Sequence, residues 1–180
     1  MTDTRIAVLV GSLRADSINR KLAEKLVAEA PDGVVLEIVD GLADVPFFNE
    51  DLEADPGEAV SQLRKVIDEA DRVLIVTPEY NGTMPAVINN AIDWLSRPYG
   101  QGAIVGKPFA AIGATPTPYG GKWSHEHARH SATIAGAVVV EGIVVDEPAL
   151  EGDPLENEEA VQRFLGALDA LVAHEVEAAA

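Results

Sequence analysis

The chain has 180 residues, 47% of them hydrophobic, which predicts one globular domain with a sizeable core over residues 1–180. Its formal net charge of −17 repels nucleic-acid phosphates and anionic membranes, so we expect neither as a partner. The lack of cysteine excludes disulfides, thiolate catalysis and iron–sulfur ligation, and with an amino terminus free of basic or apolar signal segments it predicts a cytoplasmic protein.

The first predicted strand, residues 5–10, is an apolar run that ends at Gly11 and is soon followed by a helix. A short turn from a strand into a helix presents free backbone N–H groups beside the positive end of the helix dipole, which is a site for phosphate. Ser12, Ser17 and Asn19 add neutral donors, and Arg14 adds a charged one. The alternative is that Ser17 only caps the helix and that Arg14 is a solvated surface charge.

The standard phosphate motifs are absent from this turn. The sequence has no G-x-x-x-x-G-K-[ST] and no G-x-G-x-x-G after the strand, which excludes a P-loop triphosphatase and the dinucleotide fingerprint. A turn that is poor in glycine and rich in hydroxyl groups suits a terminal phosphate monoester better than a bridging pyrophosphate.

The rest of the chain alternates between predicted strands and helices. Further apolar strands are predicted at residues 34–39, 73–76, 109–112 and 137–140. Helices are predicted from Pro56, after Pro85, within residues 122–135 and over a stripe that runs from Val161 to Val172. Strands without polar alternation are buried on both faces. The pattern therefore predicts a doubly wound α/β fold, with a five-stranded parallel sheet, helices on both faces and a frayed tail at residues 175–180.

A second polar loop, residues 77–85, follows the third strand at the edge of the sheet where ligands of this fold class bind. Asn81-Gly82 is a turn pair, and Pro78 and Pro85 stiffen the stretch. Such a loop can hold its backbone groups against a flat polar ring, with Tyr80 over one edge. The alternative is a plain connection from a strand to a helix.

A third loop follows the fourth strand at the same edge and contains Thr115, Gly120 and Gly121. It is again rich in turn formers. The first loop suits a phosphate, whereas the second and third suit a planar heteroaromatic ring. Flavin mononucleotide (FMN) has both parts.

These loops resemble two signatures of the NADPH-dependent FMN reductase family, flavodoxin-like flavoenzymes that include quinone, chromate and azo-dye reductases. The first signature is Gly11-Ser12-Leu13-Arg14 with Ser17 and Asn19 following, and the second is Pro78-Glu79-Tyr80-Asn81-Gly82 continuing to Asp93-Trp94. The resemblance covers nearly the whole chain. It implies that the FMN phosphate lies on Ser12, Arg14, Ser17 and Asn19. It implies that the ring lies against Pro78, Glu79, Tyr80, Asn81 and Gly82, with further contacts from Thr115, Gly120 and Gly121.

The resemblance also implies an activity in which the flavin carries the chemistry and no catalytic side chain is required. NAD(P)H, as co-substrate, delivers hydride to flavin N5, and a quinone, free flavin, azo or metal-oxyanion acceptor then takes the electrons. A homodimer or homotetramer is implied as well. Trp94, beside Tyr99 at the edge of its helix stripe, is either an interface aromatic or an ordinary core residue.

Two other functions are open at this point. One is a non-catalytic electron carrier like the flavodoxins, which the acidity favours and Arg14 opposes. The other is a metal-dependent hydrolase that uses His125, His127 and His130. Arg129 occupies the second histidine position of H-E-x-x-H, and His130 lies about 140° around a helix from His125, so the spacing fits poorly. The alternative is that the histidines lie on a polar or subunit-facing surface.

Overall fold

The structure is a computed structural model that describes residues 3–175. This part of the chain forms six strands: β1 (Thr4–Val10), β2 (Val34–Ile38), β3 (Arg72–Val76), β4 (Pro108–Thr115), β5 (Val138–Val139) and β6 (Asp146–Pro148). It also forms five α-helices: α1 (Ile18–Ala28), α2 (Gly57–Glu69), α3 (Ala86–Leu95), α4 (Lys122–Ile134) and α5 (Glu158–Ala173). Short 3-10 turns interrupt the connections before α2 and α5.

The strands pair in parallel in the order β2-β1-β3-β4-β5. The predicted doubly wound parallel sheet is therefore confirmed, and its order is that of the flavodoxin-like folds. Because the chain moves outward from β1 to β2 and then crosses back to β3, the order reverses between β1 and β3. The carboxyl ends of these two strands form the crevice in which ligands of such sheets bind.

The two edges of the sheet differ from the prediction. The strand predicted at residues 137–140 is reduced to Val138–Val139, which pairs with the start of β4, while β6 pairs with the end of β4. The sequence did not indicate β6, because Asp, Glu and Pro are depleted in strands and proline is tolerated mainly at edges. The edge strand β2 is only half-buried, so the expectation that every strand is buried on both faces is wrong there.

The core has two layers, one on each face of the sheet. Helices α2, α3 and α4 pack on one face, and α1 and α5 pack on the other. The predicted stripe of α2 is buried as expected, at Val60, Leu63 and Ile67. In α5 the buried face is rotated relative to the prediction, so that Leu171 is buried while Val172 is only partly so.

Trp94 is a core residue of α3. Its side chain is 0% exposed, its ring packs edge-on against Phe48 with centroids 5.0 Å apart, and its Nε1–H donates to the Pro46 carbonyl at 2.7 Å. The interface interpretation of this residue is therefore wrong. Tyr99, just beyond the helix, is 86% exposed and remains available for an interface.

None of the helices in the described part of the chain combines the length and the apolar character that crossing a bilayer requires. The predicted fraying of residues 175–180 falls almost entirely outside the described residues.

Candidate functional site

The first loop joins β1 to α1 and contains the predicted phosphate ligands. A Cβ at Gly11 would lie 2.0 Å from the Thr77 hydroxyl oxygen, so only glycine lets this loop pack against the start of the second loop. In the described part of the chain, the backbone N–H groups of residues 12–16 have no hydrogen-bond partner. The loop therefore offers free donors beside the amino end of α1.

Ser17 and Asn19 lie in this loop and at the start of α1, but their polar atoms already have partners. The Ser17 hydroxyl caps α1 by accepting a hydrogen bond from the Arg20 N–H at 3.2 Å. The Asn19 amide donates to the Ala114 carbonyl and accepts from the Ala114 N–H, each at 2.9 Å. The hydroxyl hydrogen of Ser17 and the second amide hydrogen of Asn19 remain as donors, so their phosphate contacts stay predictions.

Some of the charged side chains around the first loop are in ion pairs and others are not. Lys21 donates a hydrogen bond to Asp16 and lowers the pKa of that carboxyl, with a further contribution from Arg14. Arg20 is paired with Glu24 at 2.9 Å and with Asp40 at 3.0 Å. Among the described residues, Arg14 has no ion-pair partner and is exposed. It borders a cleft of about 430 Å³ together with Ser12, so this cation is free to meet a phosphate there.

The second loop contains a miniature hairpin. The N–H and C=O groups of Tyr80 and Thr83 bond reciprocally, at 3.0 and 3.1 Å. Asn81 and Gly82 between them have φ values of +54° and +72°, which is the conformation of a type I′ turn. The turn predicted at Asn81-Gly82 is thus confirmed. It places the half-exposed Tyr80 beside a cleft of about 640 Å³ that Phe47 and Phe48 also line.

Glu79 joins the second loop to the third loop and to α4. Its N–H donates to the Thr115 hydroxyl at 2.9 Å. Its carboxylate accepts from the N–H groups of Trp123 and Ser124, at 3.0 and 3.3 Å, and so caps the first turn of α4. The negative charge of Glu79 is therefore matched to the positive end of the α4 dipole. Its contact with a ring, and that of the buried Pro78 beside it, stay predictions.

The third loop is held close to the sheet by its glycines. Gly120 and Gly121 have φ values of +62° and +100°, which side-chain-bearing residues rarely adopt. A Cβ on Gly120 would lie 2.4 Å from the Asp146 backbone, and one on Gly121 would lie 2.9 Å from the His125 ring. Thr115, Gly120 and Gly121 thus lie at the same sheet edge as the other two loops, against β6 and α4.

His125, Asp146 and Thr77 form a buried junction that sequence reasoning missed. His125 Nδ1 lies 2.6 Å from Asp146 Oδ1, and His125 Nε2 lies 3.0 Å from the Thr77 carbonyl oxygen. No local sequence signal connects these residues, because Asp146 begins the unpredicted strand β6. The sequence suggested for this histidine either a metal role or a place on a polar or subunit-facing surface, and the second is wrong because His125 is buried.

The three histidines of the hydrolase alternative have separate surroundings. His125 is buried, His127 meets the Thr83 hydroxyl at 2.8 Å, and His130 lines a different cleft near Tyr99. Within residues 3–175 no group of three or more His, Cys, Asp or Glu side chains is arranged to hold a metal ion. The geometry does not favour the hydrolase.

Comparison with known proteins identifies relatives over most of the chain. The profile of the family described as NADPH-dependent FMN reductase matches residues 4–149. A quinone reductase from Pseudomonas putida is 46% identical over 127 residues, which are 70% of this chain and 68% of that protein. A 2-hydroxy-1,4-benzoquinone reductase from a Burkholderia species is 43% identical over 125 residues, 69% of this chain and 68% of that protein.

A solved structure matches the whole fold. FerB, a flavoenzyme NAD(P)H:(acceptor) oxidoreductase from Paracoccus denitrificans, is 33% identical in sequence and superimposes with a TM-score of 0.77. The match covers 95% of this chain and 98% of FerB.

Proposed function

The chain belongs to the NADPH-dependent FMN reductase family and is an oxidoreductase that uses FMN and NAD(P)H, and from this premise we propose that it reduces quinones. The observation that carries the proposal is the meeting of three loops at the carboxyl ends of β1, β3 and β4, tied together by Asn19 and Glu79. Relatives named as quinone reductases support the choice of acceptor.

The donor set of the first loop fits the phosphate of FMN. Free N–H groups at residues 12–16 and an unpaired arginine are the groups that bind a phosphate monoester most strongly. Ser12 and Arg14 would hold the phosphate, assisted by the remaining donors of Ser17 and Asn19. The ring would lie against the second loop, residues 78–82, with Thr115, Gly120 and Gly121 beside it.

When bound, FMN supplies the hydride chemistry, and the chain supplies binding, orientation and access. The Tyr80–Thr83 hairpin is rigid because its two backbone hydrogen bonds and its type I′ turn fix one conformation. The cleft beside Tyr80 has about 640 Å³ and an aromatic wall at Phe47 and Phe48, which suits a flat nicotinamide or quinone ring. Both rings would enter there in turn. Because the flavin would carry the hydride between them, no side chain needs to act as nucleophile or general base.

The chain is also proposed to act as a homodimer or a pair of dimers. Tyr99 and Ile134, 86% and 73% exposed, border a cleft between α3 and α4 of about 510 Å³. Asp93 and Arg97 line the same cleft, so a second copy related by a two-fold axis can pair opposite charges across it. Location in the cytoplasm stays a prediction.

Anaerobic stopped-flow kinetics tests the proposed activity. The FMN-loaded protein is mixed first with NADH or NADPH and then with 1,4-benzoquinone. We expect the flavin absorbance to bleach with the nucleotide and to return with the quinone, in a ping-pong pattern. If neither NADH nor NADPH bleaches the flavin, the chain is an electron carrier instead.

The acceptor is tested by comparing kcat/KM for the quinone with the values for an azo dye, chromate and free FMN. We expect the quinone to have the highest value. A higher value for any of the other three would contradict the proposed acceptor and leave the NAD(P)H half of the reaction intact.

A further inference from the structure

His125 is a buried group that the proposed function does not use. It lies in the first turn of α4 with a side chain that is fully buried. Its ring spans the end of β3, at Thr77, and the start of β6, at Asp146. Thr77 is the first residue of the second loop and immediately precedes Pro78. The ring therefore connects three elements directly beneath two of the site loops.

The partners of the ring determine where its protons lie. The Thr77 carbonyl oxygen can only accept, so Nε2 carries a hydrogen and donates it. Nδ1 forms the second hydrogen bond of the ring, with the Asp146 carboxyl at 2.6 Å. Each polar atom of the imidazole is thus paired, which a polar ring without exposure requires.

The location is costly for such a group. A fully buried imidazole needs a hydrogen-bond partner for each of its nitrogens, whereas an apolar side chain would fill the same space without any need for partners. Asp146 offsets the cost, because its carboxylate faces the ring from β6. What the ring gains in exchange is a fixed hydrogen bond to the Thr77 carbonyl.

The first two carbonyl groups of the second loop, those of Thr77 and Pro78, are held from several sides. The hydroxyl groups of Thr77 and Ser124 both donate to the Pro78 carbonyl, at 3.0 and 2.8 Å. A Cβ on Gly113 would lie 2.2 Å from the Thr77 carbonyl oxygen, so β4 packs closely against the Thr77 carbonyl. The Thr77 carbonyl also accepts a hydrogen bond from the His125 ring, and Asp146 holds that ring in place.

We propose that His125, oriented by Asp146, is a positioning residue that fixes the Thr77 carbonyl and through it the ring-binding loop at residues 78–82. This inference rests on the proposed function, because it assigns the second loop to the flavin ring. It predicts that His125 affects ring affinity, whereas Arg14 affects phosphate affinity. Riboflavin, which lacks the phosphate, separates the two.

The test is equilibrium titration of FMN and riboflavin into wild-type protein, His125→Asn and His125→Gln. The glutamine amide reaches the place of Nε2 and can donate to Thr77, whereas the asparagine amide reaches only the place of Nδ1. We expect His125→Asn to weaken both flavins by the same factor, roughly tenfold, the upper end of the range for one lost hydrogen bond. We expect His125→Gln to stay within about threefold of wild type.

Two further variants separate positioning from general stability. Asp146→Ala removes the carboxyl that orients the ring but keeps His125 itself, and it should weaken both flavins severalfold even if His125→Asn does not fold. Ala128→Gly removes a buried methyl group from the same helix, lowers the melting temperature and should leave both affinities unchanged. Long-range proton–nitrogen NMR of the flavin-free wild type should find Nε2 protonated.

The outcomes are distinct. The inference would be overturned if the wild type binds both flavins and His125→Asn and Asp146→Ala bind them with the same affinities as the wild type. An equal loss of affinity in Ala128→Gly, or a glutamine variant no better than the asparagine variant, would also overturn it. A wild type that binds neither flavin would instead contradict the proposed function.

Discussion

At the scale of single residues, Arg14 carries the charged part of the proposed phosphate site. Arg14→Ala should weaken FMN binding by about 1.5–3 kcal/mol, the range for hydrogen bonds to charged groups, and should leave riboflavin binding unchanged. Isothermal titration with both flavins measures the difference. Lys65→Ala, at an exposed cation on α2, is the matched control and should change neither affinity. An Arg14→Ala protein that binds FMN as tightly as wild type would remove this residue from the site.

Lys107 gives a pH-dependent prediction. Burial lowers the pKa of Lys107, whose ammonium donates to the carbonyl groups of Ala70 and Asp68. The folded chain therefore loses this proton at a lower pH than the unfolded chain, and between the two pKa values the unfolded chain binds more protons. The free energy of unfolding rises with pH under that condition. The destabilisation caused by burying the charged lysine therefore decreases as the pH approaches the ordinary lysine range.

Lys107→Met removes that destabilisation. We expect the difference in melting temperature, wild type minus Lys107→Met, to increase between pH 8 and pH 10. Thermal unfolding followed by circular dichroism measures it, and comparison with the variant cancels the titration of the other groups. A difference that stays constant or decreases would contradict the assigned direction of the pKa shift.

Residue types that act through local rules could be predicted from the sequence, and those that act through distant partners could not. Ser17 as a helix cap and Asn81-Gly82 as a turn follow from the chain within a few residues of each. The pairing of Asn19 with Ala114 spans 95 residues, and His125 meets Thr77 across 48. Such pairs depend on the order of the strands, which periodicity does not give.

At the scale of elements, the hairpin of the second loop depends on Gly82. Gly82→Ala should strain the turn by about 1–2 kcal/mol, because a side chain disfavours positive φ, and should weaken FMN and riboflavin alike. Gly33→Ala is a matched control: its φ of +80° is similar, nothing lies within 4 Å of the added Cβ, and it precedes β2 at the opposite end of the sheet. It should lower the melting temperature without changing flavin affinity. Equal affinities in the two variants would contradict the role of the hairpin.

The strands buried between helix layers were predictable because their apolar runs leave few alternatives. β1, β3 and β4 contain the residues that the sequence indicated, each extended by one or more positions. β6 was not predictable, because its three residues, Asp146, Glu147 and Pro148, become a strand only by pairing with β4. The contact between Asp146 and His125 was therefore not predictable either, because Asp146 lies in β6.

At the scale of the whole molecule, a net charge of −17 opposes association, so an interface between copies must bury apolar side chains beside the paired Asp93 and Arg97. Salt should strengthen it by screening the net charge. Light scattering at micromolar concentration and moderate salt should give at least twice the chain mass of 19.0 kDa. Ile134→Glu should return the mass to that of one chain. Leu150→Glu, at an apolar side chain 56% exposed on another surface, should not. A wild type of 19.0 kDa with full reductase activity would contradict the proposed oligomer.

Three loops at the carboxyl edge of one sheet are proposed to form a site for FMN, with the phosphate on the first loop and the ring on the other two. The most direct measurement is equilibrium titration of the purified protein with FMN, riboflavin and FAD, followed by quenching of flavin fluorescence. We expect FMN to bind most tightly and riboflavin to bind more weakly by the contribution of the phosphate. Equal affinities for FMN and riboflavin would contradict it, because the first loop would then contribute nothing.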